Sequence, residues 1–138
     1  MDEVLITFLA VALVIALALF IYIGVFGKKH SSLDRDYYQR QWAIINRQLD
    51  GSQAELHQAV FEADKLLDRA LKEKGMRGQT MGDRLKSAKT LFSNNNAVWQ
   101  AHKMRNRLAH ETGVRFTQGE VRGAMTSFKT GLKDLGAL

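Results

Sequence analysis

Five residues apart in the last third of the chain stand Arg105 and His110, within the run Arg105-Asn106-Arg107-Leu108-Ala109-His110. A guanidinium is permanently charged and holds phosphate oxygens by paired, charge-assisted hydrogen bonds. An imidazole, with an unperturbed pKa of about 6.5, accepts or donates a proton near neutrality. Between Arg84 and His110 the chain also carries Lys86, Lys89, Lys103 and Arg107, with no Asp or Glu. A cationic block of this kind, on two consecutive helices, favours binding of phosphate groups.

Placing the motif on a helix at about 100° per residue, with Ala97 at zero, sets Ala97, Ala101, Met104 and Leu108 on one apolar stripe. Asn106 and His110 then fall at about 180° and 220°, one turn apart and facing away from the core. Trp99 and His102 share that outer face, at about 200° and 140°, so the face is expected to be a contact surface. Arg105, at about 80°, lies on the flank, and its convergence with His110 requires its long side chain to reach round or a second chain to supply the partner.

Arg, a following Asn, and His after four intervening residues resemble the motif of the HEPN superfamily, and the resemblance covers the soluble part, about residues 33–138. It implies an all-helical domain. Many members are metal-independent endoribonucleases that act as dimers with paired motifs in a shared cleft, and others are non-catalytic. One toxin branch carries Tyr two residues after the His, where this chain has Thr112. The implied catalytic residues are Arg105, Asn106 and His110. In RNA cleavage the 2′-hydroxyl attacks the adjacent phosphate, which requires a proton acceptor, a proton donor and positive charge on the phosphate oxygens. His110 would transfer the proton, Arg105 would hold the phosphate, and Asn106 would orient His110 or the sugar. The cations Arg84, Lys86, Lys89, Lys103 and Arg107 would bind and guide the nucleic acid. One histidine leaves one proton-transfer role unfilled, so the expected site is that of a homodimer.

Other readings of the same residues stand beside this one. His110 in a last helical turn interacts favourably with the carbonyl end of the helix dipole, and Arg105 and Asn106 can bond a neighbouring backbone. The domain would then be a non-catalytic protein- or nucleotide-binding module. Contact between its basic surface and anionic lipid is a third reading. No metal and no cofactor is expected: there is no cysteine, and His102 and His110 are eight residues apart with only Glu111 as a nearby carboxylate. The Gly75 to Gly82 segment lacks the Gly-Lys-Ser/Thr ending of a phosphate loop.

The elements that must position the motif are helices. Ser31 with Asp34 reads as a capping box that starts a helix near Leu33, ending at Asp50-Gly51. The apolar residues Leu33, Tyr37, Tyr38, Trp42, Ile44, Ile45 and Leu49 cover nearly half its circumference, wider than one core contact needs. Leu56, Ala59, Val60, Ala63, Leu67, Ala70 and Leu71 repeat at three- and four-residue steps to Lys74, and Asp68 with Lys72 forms a surface pair. A flexible connection, Gly75 to Gly82, leads to a short helix marked by Met81, Leu85, Ala88 and Phe92. Ser93 to Asn96 caps the motif helix, which stops near Gly113. Thr117 and Glu120 cap a last helix bearing Val121, Ala124, Met125, Phe128, Leu132 and Leu135 on one face. With no strand and no proline, the fold class is all-α: an N-terminal transmembrane helix followed by an antiparallel bundle of about five helices.

The first element is of another kind. Val4 to Phe26 is an uncharged run of 23 residues that rises about 34 Å as a helix, enough to cross a hydrocarbon core of about 30 Å. Asp2 and Glu3 precede it where a cleaved signal peptide would carry basic residues. The division is therefore a transmembrane anchor at 1–27, a juxtamembrane hinge at 28–32 and a helical domain at 33–138. Lys28, Lys29, Arg35 and Arg40 follow the run and no base precedes it, so the positive-inside rule places the N-terminus outside and the domain in the cytoplasm. Removing residues 1–27 takes away two acids and no base, leaving 20 basic and 12 acidic residues, a formal +8. That excess suits RNA, a nucleotide or anionic lipid as partner.

Overall fold

In the computed structural model, which describes residues 2–26 and 32–138, all six α-helices and one short 3-10 turn are found, with no strand among the described residues. The chain divides between Ser31 and Ser32 into two units. The first contains α1, Asp2–Phe26. Its stretch Asp2–Tyr22 is long and apolar enough to cross a membrane, and no face of it is buried. A core helix of a soluble domain would bury one side. Lys28, Lys29 and Ser31 of the expected hinge lie outside the described residues.

The second unit contains α2 (Arg35–Arg47), a 3-10 turn (Gln48–Asp50), α3 (Gln53–Glu73), α4 (Met81–Ser87), α5 (Asn95–His110) and α6 (Gln118–Asp134). Each start follows from a side chain that satisfies a first-turn amide otherwise left without a partner. Asp34 caps α2 by accepting from the Tyr37 amide, so the helix begins at Arg35 instead of near Leu33. Ser52 with Glu55, Thr80 with Asp83 and Thr117 with Glu120 form complete capping boxes at α3, α4 and α6. Asn94 caps α5 through the Ala97 amide.

The core sits where α3, α5 and α6 meet, with α2 and α4 packed against α3. Val60, Leu67 and Leu71 of α3, Val98 of α5, and Val121, Phe128 and Leu132 of α6 are fully enclosed. Gly131 makes the close approach of these helices possible. A Cβ there would come within 3.3 Å of Val98 and 3.5 Å of Leu67, so a larger residue would push the helices apart. Tyr38 brings α2 onto α3, donating its hydroxyl to Glu73 Oε2 at 3.0 Å.

Three local expectations are refined. The broad apolar face of α2 splits: Tyr38, Trp42 and Ile45 turn inward, whereas Ile44 stays 52% exposed. The connection from Gly75 to Gly82 is tied down, with its Gly78 carbonyl accepting from Arg84 Nη1 at 2.8 Å and its Arg77 carbonyl accepting from Ser87 Oγ at 2.7 Å. The short helix also ends at Ser87, and Ala88 and Phe92 reach the core from the turns that follow it.

Candidate functional site

Helix α5 presents its motif differently from the wheel drawn on the sequence. Because α3 and α6 both pack on it, the buried arc is wide and takes in Val98, Ala101 and His102. Its centre is rotated by about 80° from the Ala97 stripe toward Arg105. His102, expected on the outer face, is 7% exposed, and Trp99 is half-buried with its ring centroid 5.8 Å from that of His102. The apolar stripe of Ala97, Met104 and Leu108 is itself only partly covered.

A cleft of about 950 Å³ opens between α3, the start of α4 and α5. From α5 it is lined by Trp99, His102, Lys103, Arg105 and Asn106, and from α3 by Phe61, Asp64, Lys65, Asp68 and Lys72. Gly82 of α4 forms part of the wall, and a Cβ at this position would lie 3.6 Å from the Trp99 ring and 4.0 Å from His102 Nε2.

Four side chains inside the cleft close a ring. Asp64 Oδ1 accepts from His102 Nδ1 at 2.7 Å, and His102 Nε2 lies 3.1 Å from Asn106 Nδ2. Asn106 Oδ1 accepts from Arg105 Nη1 at 3.2 Å, and Arg105 Nε lies 3.5 Å from Asp64 Oδ2. That last separation serves an ion pair but leaves Nε buried without a hydrogen bond. The orientations are mutually determined. With Arg105 donating to its oxygen, Asn106 turns its NH₂ toward His102, whose Nε2 must then be the bare nitrogen and Nδ1 the protonated one. Protonated Nδ1 is what the Asp64 carboxylate requires. The Arg105 guanidinium also stands 5.3 Å from the Phe61 ring centroid, a cation–π contact.

The expected site residues separate into groups. Arg105, Asn106 and Lys103 come together on the cleft. His110, the last residue of α5, is exposed, is not among the cleft residues, and makes no hydrogen bond or ion pair with the described residues. Arg84, expected to contact nucleic acid, is already engaged within the protein. It is 7% exposed and bidentate to Asp68, Nε to Oδ1 at 2.7 Å and Nη2 to Oδ2 at 3.1 Å. Arg107 pairs with Glu111 at 3.1 Å and lies 5.1 Å from the Phe116 ring centroid, away from the cleft. Lys86 and Lys89 are exposed but do not line the cleft. The cationic block is thus partly neutralised by acids from outside its own stretch of sequence. No group of three or more metal-ligating side chains occurs among the described residues.

On the sequence alone, Asp64 and Lys65 carry no role, and Asp68 only that of a surface partner for Lys72. A signal existed: Asp64 follows Val60 by four residues and precedes Leu67 and Leu71 by three and seven, which puts a carboxylate on the apolar stripe. A carboxylate there is buried and needs partners. Asp68 also pairs with Lys72 at 2.7 Å. Burial pushes its carboxyl upward, but the bonds from Arg84 and Lys72 outweigh this and hold it below the usual range. Comparison with protein-family models, with curated proteins and with solved structures finds no match to this chain.

Proposed function

We propose that this chain is a membrane-tethered, HEPN-like protein whose domain, read as an antiparallel helical bundle on the cytoplasmic side, binds RNA or another phosphate-bearing ligand in the α3–α4–α5 cleft. The observation that carries this reading is the convergence of Arg105 and Asn106 of the motif with Lys103 and Lys65 around one cavity. Lys65 and Lys103 are exposed and have no acidic partner among the described residues. Such cations give up little on meeting a phosphate, and two helices supply them from opposite walls. The excess of bases in the domain and the apolar α1 support a polyanionic ligand met near a membrane.

Ribonuclease activity is the more demanding form of this proposal. His110 lies outside the cleft lining, so a proton-transferring role for it needs a second chain to bring it to the phosphate. That same placement favours the second reading, a non-catalytic protein- or nucleotide-binding module. The deciding experiment uses the full chain in lipid nanodiscs, with a fluorescent single-stranded RNA and no metal. Binding that weakens steeply with salt and drops in Arg105→Ala supports the cleft. Cleavage lost in both Arg105→Ala and His110→Ala supports the nuclease, and binding without cleavage supports the module. No binding at any salt concentration removes the phosphate reading.

A further inference from the structure

We propose that Asp64 and His102, which lie outside the Arg105 to His110 motif, are positioning residues that set the Arg105 guanidinium for a phosphate ligand in the cleft. The inference rests on the cleft reading above and adds to it the means by which the arginine is held. Arg105 begins on the buried arc of α5, so its side chain must be steered to the cavity. Asp64 does this from the opposite wall. One of its oxygens faces Arg105 Nε at 3.5 Å and the other is taken by His102 Nδ1 at 2.7 Å. His102 in turn orients Asn106, whose oxygen receives Arg105 Nη1. One hydrogen bond and one ion pair therefore act directly on the guanidinium, two further hydrogen bonds hold the groups that make them, and Nη2 is left with no protein partner among the described residues.

A buried carboxylate needs partners at both oxygens and a countercharge, and Asp64 takes the countercharge from Arg105. The second oxygen, aimed at a motif residue that remains 35% exposed, points to a functional arrangement. The ring is also one bond short, because Arg105 Nε has no hydrogen bond. A phosphate drawn to Nη2 can be accommodated by a small shift of the guanidinium that lets Nε close on Asp64. Asp64→Asn disrupts the ring in either amide orientation, since its NH₂ must face the Nδ1–H of His102 or the Nε–H of Arg105, donor against donor. His102→Gln breaks the same ring without touching the carboxylate.

The test measures RNA binding by the full chain in nanodiscs, with a fluorescein-labelled single-stranded RNA as probe. The variants are Asp64→Asn, His102→Gln, Arg105→Ala and the two doubles with Arg105→Ala. Near-UV circular dichroism verifies folding of each, and His102→Gln keeps the test open if Asp64→Asn does not fold. A misdirected arginine–phosphate contact is expected to weaken binding roughly ten-fold in each ring variant. Neither substitution should weaken binding further once Arg105 is absent. A loss that is the same with and without Arg105 would mark general destabilisation and overturn the positioning role. If Arg105→Ala loses binding while both ring variants bind as the parent does, the cleft reading stands and the positioning role falls. If the parent does not bind, or Arg105→Ala binds as tightly as the parent, the cleft reading itself fails and takes the positioning role with it.

Discussion

Arg84 of α4 and Asp68 of α3 form a two-pronged ion pair, with both side chains largely withdrawn from solvent. The arginine also holds the Gly78 carbonyl of the preceding loop, so one side chain joins a helix, a second helix and their connection. Arg84→Ala would leave Asp68 with Lys72 alone and the carbonyl unpaired, at a cost of about 3 kcal/mol. Chemical denaturation of the parent and variant checks this. A change within about 0.5 kcal/mol would show that Arg84 is an ordinary surface cation.

Gly78 is the backbone counterpart of that pair. Its φ of 149° is unfavourable for residues with a side chain, and a Cβ would lie 2.6 Å from Asp83 Cβ and 2.7 Å from the Arg84 amide nitrogen. Gly78→Ala is expected to destabilise the domain by more than about 1 kcal/mol. Gly123→Ala, where a Cβ meets nothing within 4 Å, serves as the control and should be neutral or stabilising. Thermal melts of the two variants should separate accordingly.

Acid should unfold the domain through its caps. Bonds from Ser52 hold the Glu55 carboxyl below its ordinary 4.5, bonds from Thr117 do the same for Glu120, and bonds from Thr80 hold Asp83 below 3.8. A carboxyl whose folded pKa is depressed contributes stability that is complete above its unfolded pKa and is lost as pH falls through the folded value. The stability curve should therefore be flat above about pH 5 and decline below about pH 4.5. Replacing Glu55 and Glu120 by Gln should flatten that decline. Denaturation midpoints measured from pH 3 to pH 7 give the answer.

Lys103 and Lys86 should behave differently in RNA binding. Lys103 lines the cleft beside Arg105, whereas Lys86 is exposed away from it. Lys103→Ala should weaken binding and reduce the magnitude of the slope of log affinity against log salt by about one phosphate contact. Lys86→Ala should leave both affinity and slope unchanged. Equal effects from the two would spread the interaction over the whole basic surface.

Membrane attachment should depend on α1 alone. A charge at its centre, Leu13→Arg, is disfavoured by about 2.5 to 3.5 kcal/mol in insertion. The expected outcome is a shift of protein from the membrane to the soluble fraction after cell lysis and carbonate washing. Protease accessibility of the domain in sealed right-side-out and inverted vesicles tests the orientation. Digestion in the inverted vesicles only is the expected result.

The sequence alone determined the elements, because the forces that define them are local. An uncharged run of 23 residues, three- and four-residue apolar spacing from Leu56 to Leu71, and the Thr117–Glu120 box each act within a few turns of chain. They sufficed for an apolar first helix and an all-helical domain. Tertiary structure decided which charges remain available. Arg84 meets an aspartate 16 residues away and His102 one 38 residues away, and no local spacing announces such pairings. The same packing of α3 and α6 on α5 turned His102 inward, kept Arg105 and Asn106 at a cleft, and left His110 outside its lining. A helical wheel gives the angle of each residue about its own axis. Only the neighbouring helices determine which of those angles are covered.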